Sequence, residues 1–293
     1  MIDGALLLDK PLGVTSNFVL QRVKRLLAAG KAGHAGTLDP LASGLLIALF
    51  GEATKFAGML LDSEKEYRAT LKLGETTATG DAEGKVLQSR PVNVTRQDVD
   101  QVLSRFRGEI EQVPPMHSAL KRDGVPLYKL ARRGESVERA PRRVRILEIE
   151  LLEYRNPLAE IRVRCSKGTY VRTLAEDIGA ALGTGAHLAG LRRTASGRFR
   201  VEDAVALPAL EAMTAEERRT RLLPVDSLLS QLPRVELDAA AEVRLRNGQA
   251  LEISALPEGV SAVYGPGGVL IGLGRAESGT LRPLRLTQVP EKG

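Results

Sequence analysis

The chain has no tryptophan, one cysteine (Cys165), three histidines and only 3% aromatic residues in 293. Each scarcity excludes something. One cysteine rules out an internal disulfide and any cysteine-based metal cluster. His34, His117 and His187 stand too far apart in sequence to show metal-ligand spacing, so no metal is expected. So few aromatics argue against a platform on which successive single-stranded bases stack. Long hydrophobic runs are missing too. The longest, "GLLIALFG" at 44–51, falls far short of the ~20 residues that span a bilayer. The opening "MIDGALLLDKPLG" has an acid at position 3 and a short apolar run, unlike a signal or transit peptide. The expectation is a cytoplasmic protein with no membrane association.

What is present describes an ordinary soluble protein of about two domains, with 43% hydrophobic and 27% charged residues. The net charge of +6 is unevenly placed. Residues 116–145, "MHSALKRDGVPLYKLARRGESVERAPRRVR", hold nine Lys or Arg and three acids, a surplus of 9 − 3 = 6 that equals that of the whole chain. Clustered cations of this kind form either a solvated face or a polyanion contact that gains by releasing counterions from phosphates. With aromatics so scarce, a folded RNA or a duplex backbone fits better than an unpaired strand.

Hydrophobic periodicity gives the elements. "GALLLDK" reads as a strand. "TSNFVLQRVKRLLAAG" reads as a helix with a Thr/Ser cap, apolar Val19, Val23, Leu26 and Leu27 on one face, and Gly30 as its stop. Residues 45–50 form a buried strand, and "YRATLKLG" alternates with Tyr67, Ala69, Leu71 and Leu73 on one face. "TRQDVDQVLSRF" is an amphipathic helix opened by a Thr95–Asp98 capping box. "RILEIELLEY" and "AEIRVRCS" form a strand pair, and "YVRTLAEDIGAAL" a helix. Strands and helices mix without a strict βαβ rhythm, so the fold class is α+β with a mixed, largely antiparallel sheet. The prolines near 224–236 suggest a linker. Beyond it, "VRLRNGQALEI" and "VYGPGGVLIGLG" read as short strands of a small β-rich domain. The domains run 1–230, with 116–145 as a mobile basic insertion, and 231–293.

Two stretches carry candidate chemistry. In "KAGHAGTLDPLASG", Asp39 stands among glycines with Pro40 behind it. Proline disfavours helical backbone for the preceding residue, so Asp39 is held extended with a narrow choice of directions, while Gly33 and Gly36 permit close backbone approach. An isolated Asp-Pro would be a simple turn starter. In "CSKGTYVRTLAEDIG", Lys167, Tyr170 and Arg172 crowd a strand-to-helix junction opened by Gly168. An arginine can aim a carboxylate by a two-pronged contact, and a tyrosine ring gives a flat wall for a base. No P-loop is present, because Gly30-Lys31 is followed by Ala32. "GTGAHLAG" lacks the third glycine of a dinucleotide fingerprint. No nucleotide cofactor is called for.

Together with "GALLLDKPLGVTSN", "DSEKEYRATLKLGETTATGDAEG", "PPMHSALKRDGVPLYKLARRGE" and "GTGAHLAGLRRTASG", these stretches closely resemble the bacterial tRNA pseudouridine synthase B (TruB) family, from about residue 2 to 200. The last sixty residues resemble that family's PUA domain more weakly. The resemblance implies cofactor-free isomerisation of the T-loop uridine at tRNA position 55. Asp39 then matches the catalytic aspartate, and Tyr67 the tyrosine that stacks on the base and helps remove the C5 proton. Tyr170 and Arg172 match residues that order the aspartate, and Leu191 a backbone contact to the uracil. His34 matches a histidine near the flipped nucleotide, and Lys10-Pro11 a motif supporting the site and its substrate. Lys129, Arg132 and Arg133 are the expected RNA-backbone contacts. The partner is the tRNA T-arm, met by a monomer without an obligate protein partner. The alternative from another class is a catalytically silent tRNA-binding protein or RNA chaperone. A carboxylate-pair glycoside hydrolase fails because no second acid stands out beside Asp39.

Overall fold

The computed structural model describes residues 2–288 except 119, 123, 136 and 254–255, and leaves the side chains of Lys121 and Arg132 undescribed. The chain opens with β1 (Gly4–Lys10) and α1 (Ser16–Leu26). The Thr15 side chain accepts from the Phe18 N–H and so caps α1. The helix ends before the expected Gly30 stop, because Ala28 takes the positive φ of 51° that turns the chain. β2 (Ala32–Ala35), β3 (Ala42–Phe50) and β4 (Lys65–Leu73) follow, then α2 (Arg96–Ser104), opened by the Thr95–Asp98 capping box. β5 (Gly108–Gln112), β6 (Arg142–Arg155), β7 (Leu158–Cys165), α3 (Val171–Ala181), β8 (Ala186–Ser196) and β9 (Val205–Ala206) complete the first sheet and its helices.

That sheet has ten strands. Its main path runs β9-β1-β3-β8-β4-β7-β6-β5, with β2 and the short strand Phe199–Arg200 as side branches. Pairing is antiparallel except for β1 with β9 and β3 with β8. The central strand β8 therefore holds two neighbours of opposite direction. Gly44 lets β3 approach it: φ is +98°, and a Cβ there would lie 2.3 Å from the Arg193 carbonyl oxygen. On β4, Ala69, Leu71 and Leu73 bury into a core shared with Leu174 and Ile178 of α3 and with Val99 and Leu103 of α2. The opposite face carries exposed ion pairs such as Arg68–Glu160 and Arg162–Glu150, each worth little in water.

The basic segment folds as a hairpin, Lys121–Arg122 with Val125–Pro126, followed by the short helix Leu127–Arg132. Its expected limit at 145 moves back, because Arg142–Arg145 pair with Glu109–Gln112 as the start of β6.

The second sheet contains β10 (Arg234–Glu236), β11 (Leu251–Glu252), β12 (Gly259–Tyr264), β13 (Leu270–Glu277) and β14 (Thr280–Leu286), in the order β10-β12-β13-β14-β11. "VRLRN" is not strand: Ala239–Arg246 is a helix capped by the Asp238 side chain on the Ala241 N–H. Nor is 224–236 a loose linker. Leu228 and Leu229 bury in one apolar cluster with Leu45 and Phe56 of the first unit and Ala262 and Leu273 of the second. Burial of this kind contributes roughly 25 cal/mol per Å² and joins the two sheets. The Glu52 carboxylate, accepting from the Gln288 N–H at 2.7 Å, ties the end of β14 to the same place. Among the described residues, no helix is long and apolar enough to cross a membrane.

Candidate active site

The Asp39 loop is fixed by backbone contacts on both sides. The buried Ser16 hydroxyl accepts from the Leu38 N–H at 2.8 Å and donates to the Leu38 carbonyl at 2.9 Å. The Gly13 N–H donates to the Pro40 carbonyl at 2.8 Å, and the Ala42 N–H to that of Asp39 at 3.0 Å. The loop thus has no freedom behind the carboxylate, while the Asp39 side chain stays 48% exposed at the mouth of a cavity of about 570 Å³. Gly36 adopts φ +86°, a conformation that favours glycine. A Cβ there would meet Arg193 Nη1 at 3.2 Å, so Gly36 answers to Arg193 beneath it.

Asp39 is met from α3. Arg172 Nη2 lies 3.1 Å from Asp39 Oδ2, while Nη1 lies 3.4 Å from Asp81 Oδ2. The fork expected to grip Asp39 with two prongs is divided between two carboxylates. Arg172 and Asp81 are both buried, and Arg172 also donates to the carbonyls of His117 at 2.6 Å and Thr79 at 3.4 Å. A buried guanidinium surrounded by acceptors in this way has one orientation. Asp81 is itself held by the Thr79 hydroxyl and, at 3.2 Å, by the Glu83 N–H.

Sequence reasoning missed Asp81 and found no second acid beside Asp39. In "TATGDAEG" the residue sits in a short polar turn without periodicity, and its partner lies 91 residues further on, so only the fold brings them together. Gln112 was missed as well. Its side-chain amide accepts from the Tyr170 N–H at 3.1 Å and donates to the Tyr170 carbonyl at 3.3 Å, clamping the residue before α3.

Tyr67, Tyr170, Leu191 and Arg193 line the same cavity, with Thr79, His117 and Tyr128. Tyr67 is half-buried, and burial pushes its phenol pKa up, opposed by the Arg193 charge. Lys10 is placed differently from a substrate contact. It is fully buried, with its ammonium on the carbonyls of Pro11 at 2.8 Å and Val14 at 2.7 Å. Burial lowers its pKa to about 8, against the raising pull of Asp39. Lys10 supports the loop from behind and leaves the cavity to others. His34 lies on β2, outside the cavity lining; burial and then Arg193 lower its pKa, and its Nδ1 is buried without a hydrogen-bond partner. Lys129 and Arg133 are exposed on the basic segment, whereas the Arg132 side chain lies outside the described residues. A larger hollow of about 870 Å³ lies beside Leu6, Ala206 and Met213 and contains Arg198, Arg221, Glu202 and Asp203, away from the Asp39 loop.

A sequence profile described as the TruB family pseudouridylate synthase N-terminal domain matches residues 24–171, and profiles for TruB C-terminal regions match 172–230 and 233–287. A curated protein from Azoarcus sp. (strain BH72), tRNA pseudouridine synthase B, is 55% identical over 98% of this chain and 95% of its own length. The chain belongs to the TruB family of pseudouridylate synthases. A relative of the same name from Thiobacillus denitrificans is 55% identical over 97% of the chain and 96% of its own. Among solved structures, a Cbf5-Nop10-Gar1 complex aligns with TM-score 0.74 and 29% identity, over 98% of this chain and 84% of the other. An H/ACA RNP bound to a substrate RNA containing 2'-deoxyuridine aligns with TM-score 0.75 and 27% identity, over 98% and 86%. The TruB fold is thus an α+β catalytic sheet followed by a C-terminal domain.

Proposed function

We propose that this TruB-family enzyme isomerises the T-loop uridine at tRNA position 55 to pseudouridine, with Asp39 acting on a flipped-out nucleotide. The observation that carries the reading is the Asp39–Arg172–Asp81 chain of charges, which aims one solvent-facing carboxylate into a cavity walled by Tyr67. The reaction breaks the C1′–N1 bond and joins C1′ to C5. It is redox-neutral and asks for an oriented carboxylate and an acceptor for the C5 proton. Asp39 supplies the first. Tyr67 stacks on the base and serves the C5 proton, while Leu191 meets the uracil through its backbone. Tyr170 completes the wall, and Arg172 holds Asp39 in register. The target must leave the T-loop stack to reach them.

Affinity comes from elsewhere. Lys129, Arg132 and Arg133 of the basic insertion, which closes on the T-arm, neutralise phosphates without reading sequence. Residues 231–293 act as a PUA-like RNA-binding domain beside the 1–230 catalytic domain. The enzyme works as a cytoplasmic monomer without a metal, cofactor or obligate protein partner. The relatives' shared name, tRNA pseudouridine synthase B, supports the substrate class. The test is release of tritium from a T-loop hairpin labelled at C5 of its uridine. Release by the wild type and none by Asp39→Asn is expected; equal release by both overturns the role of Asp39.

A further inference from the structure

Among the described residues, Arg193 is the largest fully buried side chain, and no carboxylate pairs with it. Burying an unpaired charge is costly, and proteins rarely retain one without a use. Its partners are neutral oxygens. Nε donates to the Leu45 carbonyl at 2.7 Å and Nη2 to the Gly36 carbonyl at 3.0 Å. The Tyr67 side chain lines the same cavity as Arg193. Arg193 and Tyr67 stand directly opposite each other on the antiparallel strands β8 and β4, where facing side chains touch. One planar fork therefore binds β3 and the turn that leads into Asp39, with Tyr67 directly across the strand pair.

The titratable cations nearby are disfavoured by this charge. Arg193 works against protonation of Lys10, Lys65 and His34, each of which has a lowered pKa with burial as the first cause. Arg193 also opposes the rise that burial gives the Tyr67 phenol pKa, and Tyr67 lines the same cavity as Arg193 and Asp39.

We propose that Arg193 is a positioning residue for the isomerisation, fixing the Tyr67 hydroxyl and the Gly36 turn on one guanidinium so that phenol and Asp39 carboxylate keep a set separation. The inference rests on the roles given above to Asp39 and Tyr67. Lysine cannot replace it, because an ammonium is a point charge that cannot span acceptors on three segments.

The experiment is a double-mutant cycle of Arg193→Lys and Tyr67→Phe, read as single-turnover rate at saturating tRNA and as tRNA dissociation constant. Arg193→Lys is expected to lower the rate by about 30-fold or more while binding stays within about threefold, and to cost less than about threefold in the Tyr67→Phe background, since residues acting through one shared interaction are not additive. A fully additive cycle overturns the inference, as does a wild-type rate in Arg193→Lys. Asp39→Asn and Tyr67→Phe, measured alongside, separate the levels: full activity of either overturns the role on which the inference stands. Arg193→Gln, shorter and neutral, guards against a folding defect. If both Arg193 variants lose cooperative melting together with tRNA binding, Arg193 is structural and the inference falls.

Discussion

Replacing Asp81 with asparagine removes a charge and almost no volume. In the wild type Arg172 is 8% and Asp81 4% exposed, while Asp39 is 48% exposed, so the buried half of the network is Arg172–Asp81. Deleting one partner of a buried pair costs about 3–5 kcal/mol. Asparagine keeps an acceptor oxygen, and Arg172 retains Asp39 and two carbonyls, so the loss should be smaller, about 2 kcal/mol. At about 2–4 °C per kcal/mol for a chain near this size, Tm should fall by about 4–8 °C. Turnover should suffer more. With Asp81 neutral, only uncharged acceptors oppose the pull of Asp39, and the fork turns toward it. A displacement near 1 Å at a reacting group costs on the order of 10²-fold. Tritium release at saturating tRNA and a thermal melt of the same preparation give both numbers. Unchanged turnover with a lowered Tm would show that Asp81 only stabilises the fold, and the divided-fork reasoning would be refuted.

Other expectations use simpler changes. Asp39→Asn should abolish turnover and leave tRNA affinity within a few fold, read by filter binding, because phosphate neutralisation supplies most of the affinity. Arg172→Lys should lower single-turnover rate by about 10²-fold, since a point charge cannot serve two carboxylates and two carbonyls at once. Lys10 has a folded pKa of about 8, below the ordinary lysine value of 10.5; the unfolded chain therefore binds more protons between those values, and the cost of burying the charge is full below about pH 8 and relieved above it. Turnover should fall as pH rises through about 8, and Lys10→Met should lack that limb in a pH–rate profile. Neutralising Lys129, Arg132 and Arg133 together should weaken tRNA binding without regard to sequence and flatten log K against log[salt] by about 0.9 for each duplex phosphate no longer neutralised; an unchanged slope makes the cluster a solvated face.

Much of this was legible locally. The Thr15 cap, the Thr95–Asp98 box and the alternation from Tyr67 to Leu73 are short-range signals, and both helices start, and the strand alternates, where expected. Asp39 stood out because Pro40 and the glycines mark its loop within a few residues. Asp81 and Gln112 gave no such sign, because their partners Arg172 and Tyr170 lie 91 and 58 residues away. Arg193 did leave a trace. It shares a strand face with Leu191, two residues before it, and period-2 reasoning from that residue would have placed it in the cavity. The early helix stop and the supposed linker have one cause: Leu27 and Ala29, on either side of exposed Ala28, and Leu228–Leu229 follow tertiary packing against local preference.

The central position of β8 bears on how the chain is made. Until residue 186 is synthesised, β4 has no partner along its β8 side over the nine residues Lys65–Leu73, and the β8 side of β3 is covered by β2 only over Ile47–Phe50. The nascent chain therefore holds two half-sheets with open edges, one of them rich in leucine and alanine, waiting for a single strand to join them. Non-local pairing of this kind is slow to form, and unpaired edges invite association with other chains. The pocket follows the same schedule. Asp39, Tyr67 and Asp81 are present early, Arg172 comes 14 residues before β8 begins, and the Leu191–Arg193 side of the cavity arrives with β8, so about two-thirds of the polypeptide is made before the cavity in which a nucleotide could sit has all its walls.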